Sequence, residues 1–158
     1  MPKSHEEWMR QAIDLAVDNV RQGHGGPFGA LVIKGEKLVA TGVNSVTANN
    51  DPTAHAEVMA IRAACLALGA FQLDGCTLYT SCEPCPMCLG AIFWARPVAY
   101  YYACTRTGAA QAGFDDAFIY DQVALAPGER SIPGHCVQTA HFRDPFAEWA
   151  KSNEKTPY

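Results

Sequence analysis

The sequence predicts an α/β fold, a mixed central sheet with helices on both faces in three layers, and three observations carry that expectation. Segments with strand character alternate with longer segments of helical period, in the order β-β-α-β-α-β behind an N-terminal helix. Glycines and prolines punctuate the chain where the period changes. At 158 residues the chain is long enough to bury about 70% of its unfolded surface. The expectation is therefore one domain over residues 1–158.

Each element has a local reason. Ser4-His5-Glu6-Glu7 is a capping-box pattern, and an amphipathic helix follows it to about Arg21. Gly25-Gly26-Pro27 turns the chain into a strand over 28–34, which a turn near Gly35 joins to a second strand over 37–44. Asp51-Pro52-Thr53 supplies turn and cap chemistry ahead of an apolar-periodic run over 54–68, with Gly69 as its stop. A strand is expected at 76–80. A helix over 84–95 then opens on Pro84, whose missing N–H is harmless in a first turn. The tyrosine-rich stretch 98–102 reads as the last strand. Beyond Cys104 come a short helix over 107–112, irregular wrapping over 120–135, and a final helix over 145–151 with Phe146 and Trp149 on one face.

Two motifs carry chemistry. His55-Ala56-Glu57 and, thirty positions later, Pro84-Cys85-Pro86-Met87-Cys88 supply one imidazole, two thiols and a spare carboxylate. Zinc favours nitrogen and sulfur in a tetrahedron, and catalytic sites leave the fourth corner to water. His55, Cys85 and Cys88 fill three corners of such a site, one zinc per subunit with a bound water or hydroxide. Glu57 is then free to move protons, which a poorly leaving amine requires. Both pairs are expected in the first turns of helices, where backbone N–H groups favour a thiolate. A redox pair of cysteines leaves His55 and Glu57 unexplained, and a closed structural zinc site leaves Glu57 without a use.

The remaining cysteines constrain less. Cys82 precedes Pro84, so it is expected in the turn and outside the ligand set. Cys65, Cys76, Cys104 and Cys136 read as small buried hydrophobes, and seven cysteines without a secreted-domain pattern suggest a reducing cytoplasm. There is neither a membrane-spanning apolar run nor a secretory signal at the start. The formal net charge is −4 with no run of Lys or Arg, which argues against a polynucleotide substrate and for a small molecule.

The histidine–glutamate and proline–cysteine motifs are a known pattern of zinc nucleobase deaminases, and through them the sequence resembles the cytidine deaminase superfamily. Within it the chain is similar to the bacterial guanine deaminases. That closer likeness rests on Gly25-Gly26-Pro27-Phe28-Gly29-Ala30, Asn44, Asp51 to Glu57, Thr80 to Cys88, Trp94-Ala95-Arg96-Pro97, Ala112-Gly113-Phe114-Asp115-Asp116 and Tyr158. The resemblance implies a cytidine-deaminase-like fold, zinc-dependent hydrolysis of guanine to xanthine and ammonia, and a homodimer whose C-terminal segment is swapped to close the partner's site. It also implies roles: Phe28 stacking on a purine, Asn44 bonding to it, the Ala56 backbone and Trp94 lining the pocket, Asp116 as a second proton carrier, and Tyr158 capping the partner's site. Without the resemblance, Asn44 would be a turn residue, Phe28 and Trp94 core aromatics, and Asp116 a helix cap. A guanosine or triazine deaminase, a tRNA adenosine deaminase and a zinc-binding module without catalysis are the alternatives.

Overall fold

The computed structural model describes residues 2–158, which divide into two compact units, one ending at Asp116 and one spanning Ala117–Tyr158. The first unit holds a four-stranded sheet of order β2-β1-β3-β4. Its strands are β1 (Gly29–Lys34), β2 (Lys37–Val43), β3 (Cys76–Cys82) and β4 (Ala99–Cys104). β1 runs antiparallel to both β2 and β3, whereas β3 and β4 are parallel, so the sheet is mixed as expected.

Alternation along β1 divides the core into two layers. Leu31 and Ile33 pack with Tyr79 against Trp8 and Ala12 of α1 (His5–Arg21). Ala30 and Val32 face the other way, toward Ala56, Ala60 and Ala64 of α3 (Ala56–Leu68) and Ile92 and Ala95 of α4 (Pro86–Ala95). Period-2 side chains on one strand thus serve helices on both faces. Ser4 caps α1 in a full capping box with Glu7, and Gly69 ends α3 at φ 62°.

Close packing sets where the site-bearing helix sits. A Cβ at Gly42 would collide with the backbone of Ala56 and Ala60, so the start of α3 lies directly on β2. Only glycine leaves that space.

The boundaries differ from the sequence expectation where it matters. The third helix begins at Ala56, not 54, with His55 as an extended N-cap (φ −70°, ψ 156°). The fourth begins at Pro86, not Pro84, with Cys85 as its N-cap. In each case a ligand's side chain lies outside the helix, at its mouth. Cys82 belongs to β3 and Cys104 to β4, because backbone pairing runs on past the expected strand ends. Cys76 is buried, but Cys65 is only half-buried and Cys104 and Cys136 are exposed: Cys104 lies at the end of an outer strand and Cys136 in an irregular stretch. A short helix α2 (Val46–Asn49) was not expected, and α5 (Arg106–Gln111) follows β4.

In the second unit, the stretch read as irregular from residue 120 takes in the later part of α6 (Ala117–Ala124) and a 3₁₀ turn (Pro127–Glu129), before α7 (Asp144–Lys151). Gln122 knits this unit locally: its backbone carbonyl accepts from Arg130 Nε at 3.1 Å and its Oε1 from Ser131 N–H at 2.6 Å. Among the described residues no helix is long and apolar enough to cross a membrane.

Candidate metal and catalytic site

Two helix mouths meet at the sheet edge where β2 and β3 end. His55 Nδ1 lies 3.6 Å from Cys85 Sγ and 3.5 Å from Cys88 Sγ, and one donor atom from each of the three lies within 4.8 Å of the others. A tetrahedral ion bonded at about 2.3 Å to sulfur and about 2.0–2.1 Å to nitrogen requires a sulfur–nitrogen separation of about 3.6 Å. The observed spacings match that requirement, and two thiols with one imidazole are a donor set that suits zinc.

Local sequence explains the convergence. Cys85 ends its extended segment at a helix N-cap, where its sulfur accepts from Cys88 N–H at 3.5 Å, and Pro86 starts the helix without needing a donor. The Cys85 thiol is drawn down to about 4, first by a hydrogen bond from Cys88 and then by His55, against the opposing effect of burial. His55 is correspondingly raised, chiefly by its bond to Cys85. The Cys88 thiol is pushed up by its bond to Cys85 and by burial. Cys85 therefore carries the negative charge most readily.

Glu57 stands beside the three ligands without joining them. It is 6% exposed, its Oε1 accepts from Thr80 Oγ1 at 3.1 Å, and Cys88 Sγ donates to its Oε2 at 3.4 Å. Burial pushes its carboxyl above the usual range, as a group that must hold a proton during a reaction requires.

The other candidates fall in several places. Asn44 is buried just past β2, where its Oδ1 accepts from Gly26 N–H at 3.4 Å and Val46 N–H at 3.3 Å. Phe28, half-buried just before β1, meets Phe114 edge-to-face at 5.0 Å between centroids. Asp116 is half-buried; its carboxyl is raised first by burial and also by the nearby Cys85 charge, which places it within electrostatic reach of the ligands. Ala56 is fully buried at the start of α3. Trp94, on α4, is 62% exposed, and Tyr158 in the second unit is 72% exposed.

Two residues to which the sequence reading gave no role support the site. Thr80, 1% exposed, orients the Glu57 carboxylate. Asn19, 4% exposed, donates through Nδ2 to both Gly26 O and Asn44 O at 2.9 Å and so braces the loop before β1 against Asn44. A polar residue continuing the Trp8-Ala12-Ala16 stripe of α1 was the available signal for Asn19. The first unit also has an apolar cavity of about 630 Å³, lined by Ile13, Val17, Phe28, Cys82, Cys104 and Phe114 among others. None of His55, Glu57, Cys85 and Cys88 lines it.

Comparison with known proteins agrees with the geometry. Residues 2–104 match the cytidine and deoxycytidylate deaminase zinc-binding region. The chain is 54% identical to guanine deaminase of Bacillus subtilis (strain 168) over 155 residues, covering 98% of this chain and 99% of that protein. The crystal structure of Bacillus subtilis guanine deaminase superposes with a TM-score of 0.97 at 53% identity, covering 99% of both chains. A tRNA-specific adenosine deaminase from Buchnera aphidicola is 42% identical over 89 residues, 56% of this chain and 58% of that protein. The likeness to guanine deaminase thus includes the region after Cys104, whereas the adenosine deaminase match covers little more than half the chain. With its ligand cluster, mixed sheet and full-length relative, the chain belongs to the zinc-binding cytidine and deoxycytidylate deaminase family and, within it, to the guanine deaminases.

Proposed function

We propose that this chain hydrolyses guanine to xanthine and ammonia, with zinc held by His55, Cys85 and Cys88. The observation that carries the reading is the pairing of three ligands at tetrahedral spacing with a fourth, buried acid that is left out of the set. When bound, zinc supplies the Lewis acidity that makes water nucleophilic near neutral pH.

Glu57 takes the proton from the attacking water as it adds at C2 of the purine, delivers it to the ring nitrogen, and then helps protonate the departing amine. Thr80 holds that carboxylate in one orientation. Asp116 is the second proton carrier, on the amino side; its raised carboxyl supports the role. Phe28, steadied edge-on by Phe114, offers an aromatic platform, and Asn44, with Oδ1 held by two backbone N–H groups, offers a fixed amide. The Ala56 backbone and Trp94 complete the pocket wall.

We also propose that all 158 residues act as one deaminase domain in a cytoplasmic homodimer whose C-terminal segment closes the partner's site, with Tyr158 as its cap. Exposed Phe142, Phe146, Trp149 and Tyr158 in the second unit support this, because that much apolar surface calls for a cover.

The test is ammonia release by zinc-loaded protein offered guanine, guanosine, adenine and cytosine separately, with the product identified. Selective turnover of guanine to xanthine supports the reading. Preference for guanosine changes the substrate, and inactivity on all four with zinc bound refutes the reading.

A further inference from the structure

We propose that Cys82 and Cys104 form an oxidisable thiol pair that closes to a disulfide in the presence of a peroxide, tying β3 to β4 just upstream of the Cys85 ligand. The proposal does not depend on the substrate assigned above.

The geometry is set by the sheet. Cys82 and Cys104 are direct partners in the parallel β3–β4 ladder, and the Glu83 N–H to Cys104 O bond at 2.7 Å fixes that register. Neighbouring strands lie about 4.8 Å apart, inside the Cα window of about 4.4–6.8 Å that a disulfide spans. Both side chains line the same cavity, so they project from the same face. Both sulfurs also point to one acceptor, the Thr105 carbonyl oxygen, at 4.0 Å from Cys82 and 3.5 Å from Cys104. Gly108 makes room for this: a Cβ there would lie 2.6 Å from Cys104 Sγ.

The two thiols differ in access to solvent. Cys82 is 6% exposed, and burial first, then Cys104, push its thiol up to about 12. Cys104 is the more exposed of the two within the chain and is therefore the sulfur placed to react first. The Cys104 thiolate attacks one peroxide oxygen, the O–O bond breaks, and one water leaves after protonation, giving a sulfenic acid. The Cys82 sulfur then attacks that sulfur, the S–O bond breaks, and the oxygen departs with the Cys82 proton as a second water. Two thiols and one hydrogen peroxide become one disulfide and two waters.

The placement gives the bond a consequence. Cys82 is followed by Glu83, Pro84 and the ligand Cys85, while Cys104 leads through Arg106 and α5 toward Phe114 and Asp116. The two segments already touch through the Glu83–Arg106 ion pair at 2.8 Å. A disulfide there adds a covalent link beside that polar contact.

Zinc-loaded wild-type protein, Cys104→Ala and Cys82→Ala are treated with hydrogen peroxide, then analysed by intact mass, non-reducing peptide mapping and zinc content. Wild type should lose two hydrogens, yield a peptide linked Cys82–Cys104, retain zinc and revert with dithiothreitol. Cys104→Ala should form no such link. Cys82→Ala should stop at a Cys104 sulfenic acid that dimedone traps; should that buried change prevent folding, the exposed Cys104→Ala variant still decides the matter. A link that joins Cys85 or Cys88 with loss of zinc, a Cys104–Cys104 link between chains, or an oxidised Cys104 with no link overturns the proposal.

Discussion

Replacing Glu57 by glutamine separates proton transfer from everything else the residue does. The change is isosteric, so it leaves no cavity. The retained carbonyl still accepts from Thr80 Oγ1, now at 3.1 Å from Glu57 Oε1, and the new amide takes the place of Oε2, 3.4 Å from Cys88 Sγ, where it can donate to the sulfur. Zinc binding should therefore survive. Loss of a positioned acid–base group lowers turnover by about 10²- to 10⁴-fold, or about 3–5 kcal/mol of barrier at about 1.4 kcal/mol per tenfold. Stability should move the other way. Burial holds the Glu57 carboxyl above its ordinary value of 4.5, so the folded state of zinc-free protein binds its proton more tightly than the unfolded state does. That contribution is complete below the unfolded pKa and is lost as pH rises through the folded one. The variant escapes the loss and should gain on wild type as pH rises above 4.5. The assays are ammonia release, zinc by atomic absorption, and urea unfolding at several pH values. A turnover within tenfold of wild type at equal zinc would remove Glu57 from the proton path.

Three further outcomes are expected. In zinc-stripped protein, Cys85 should be alkylated by iodoacetamide at rates that hold as pH falls until about 4, because Cys88 and His55 stabilise its thiolate; a rate falling below pH 9 like that of an ordinary thiol would contradict this. Asp116→Ala should lower turnover by about 10²-fold or more if the residue carries a proton, with zinc content unchanged, and wild-type rates would exclude it. Gly42→Ala forces α3 off β2, since the clash is with backbone and not with a flexible side chain. It should cost about 1–3 kcal/mol in urea unfolding and weaken zinc binding through His55, and a variant with wild-type stability and metal affinity would show that the helix can shift freely.

Much of the first unit was legible in the sequence because its signals are local. The Ser4–Glu7 box, the Gly69 stop and the alternation in β1 each depend on residues a few positions apart. The mouth of α4 was misplaced by two residues because Pro84 and Pro86 both satisfy the same first-turn rule; the backbone must remain extended through Cys85 for its sulfur to reach His55. Helix α6 was missed because prolines and glycines beyond residue 126 made its neighbourhood look irregular, while residues 117–124 contain neither. Cys104 was read as buried on residue type alone, and type does not reveal that its strand lies on the outside of the sheet.

By itself, the sequence determined the donor chemistry. One imidazole and two thiols at that spacing specify a zinc-binding site, because ligand identity is a property of side chains and not of where they lie. The tertiary structure alone decided the geometry and the supports: the spacing of about 3.5–3.6 Å between His55 and the two sulfurs, the Thr80 hydroxyl on Glu57, the Asn19 brace, and the Cys82–Cys104 pairing. Those contacts join residues from 7 to 33 positions apart in the chain. Strand register and helix packing bring them together, and no local pattern encodes which distant residues will meet.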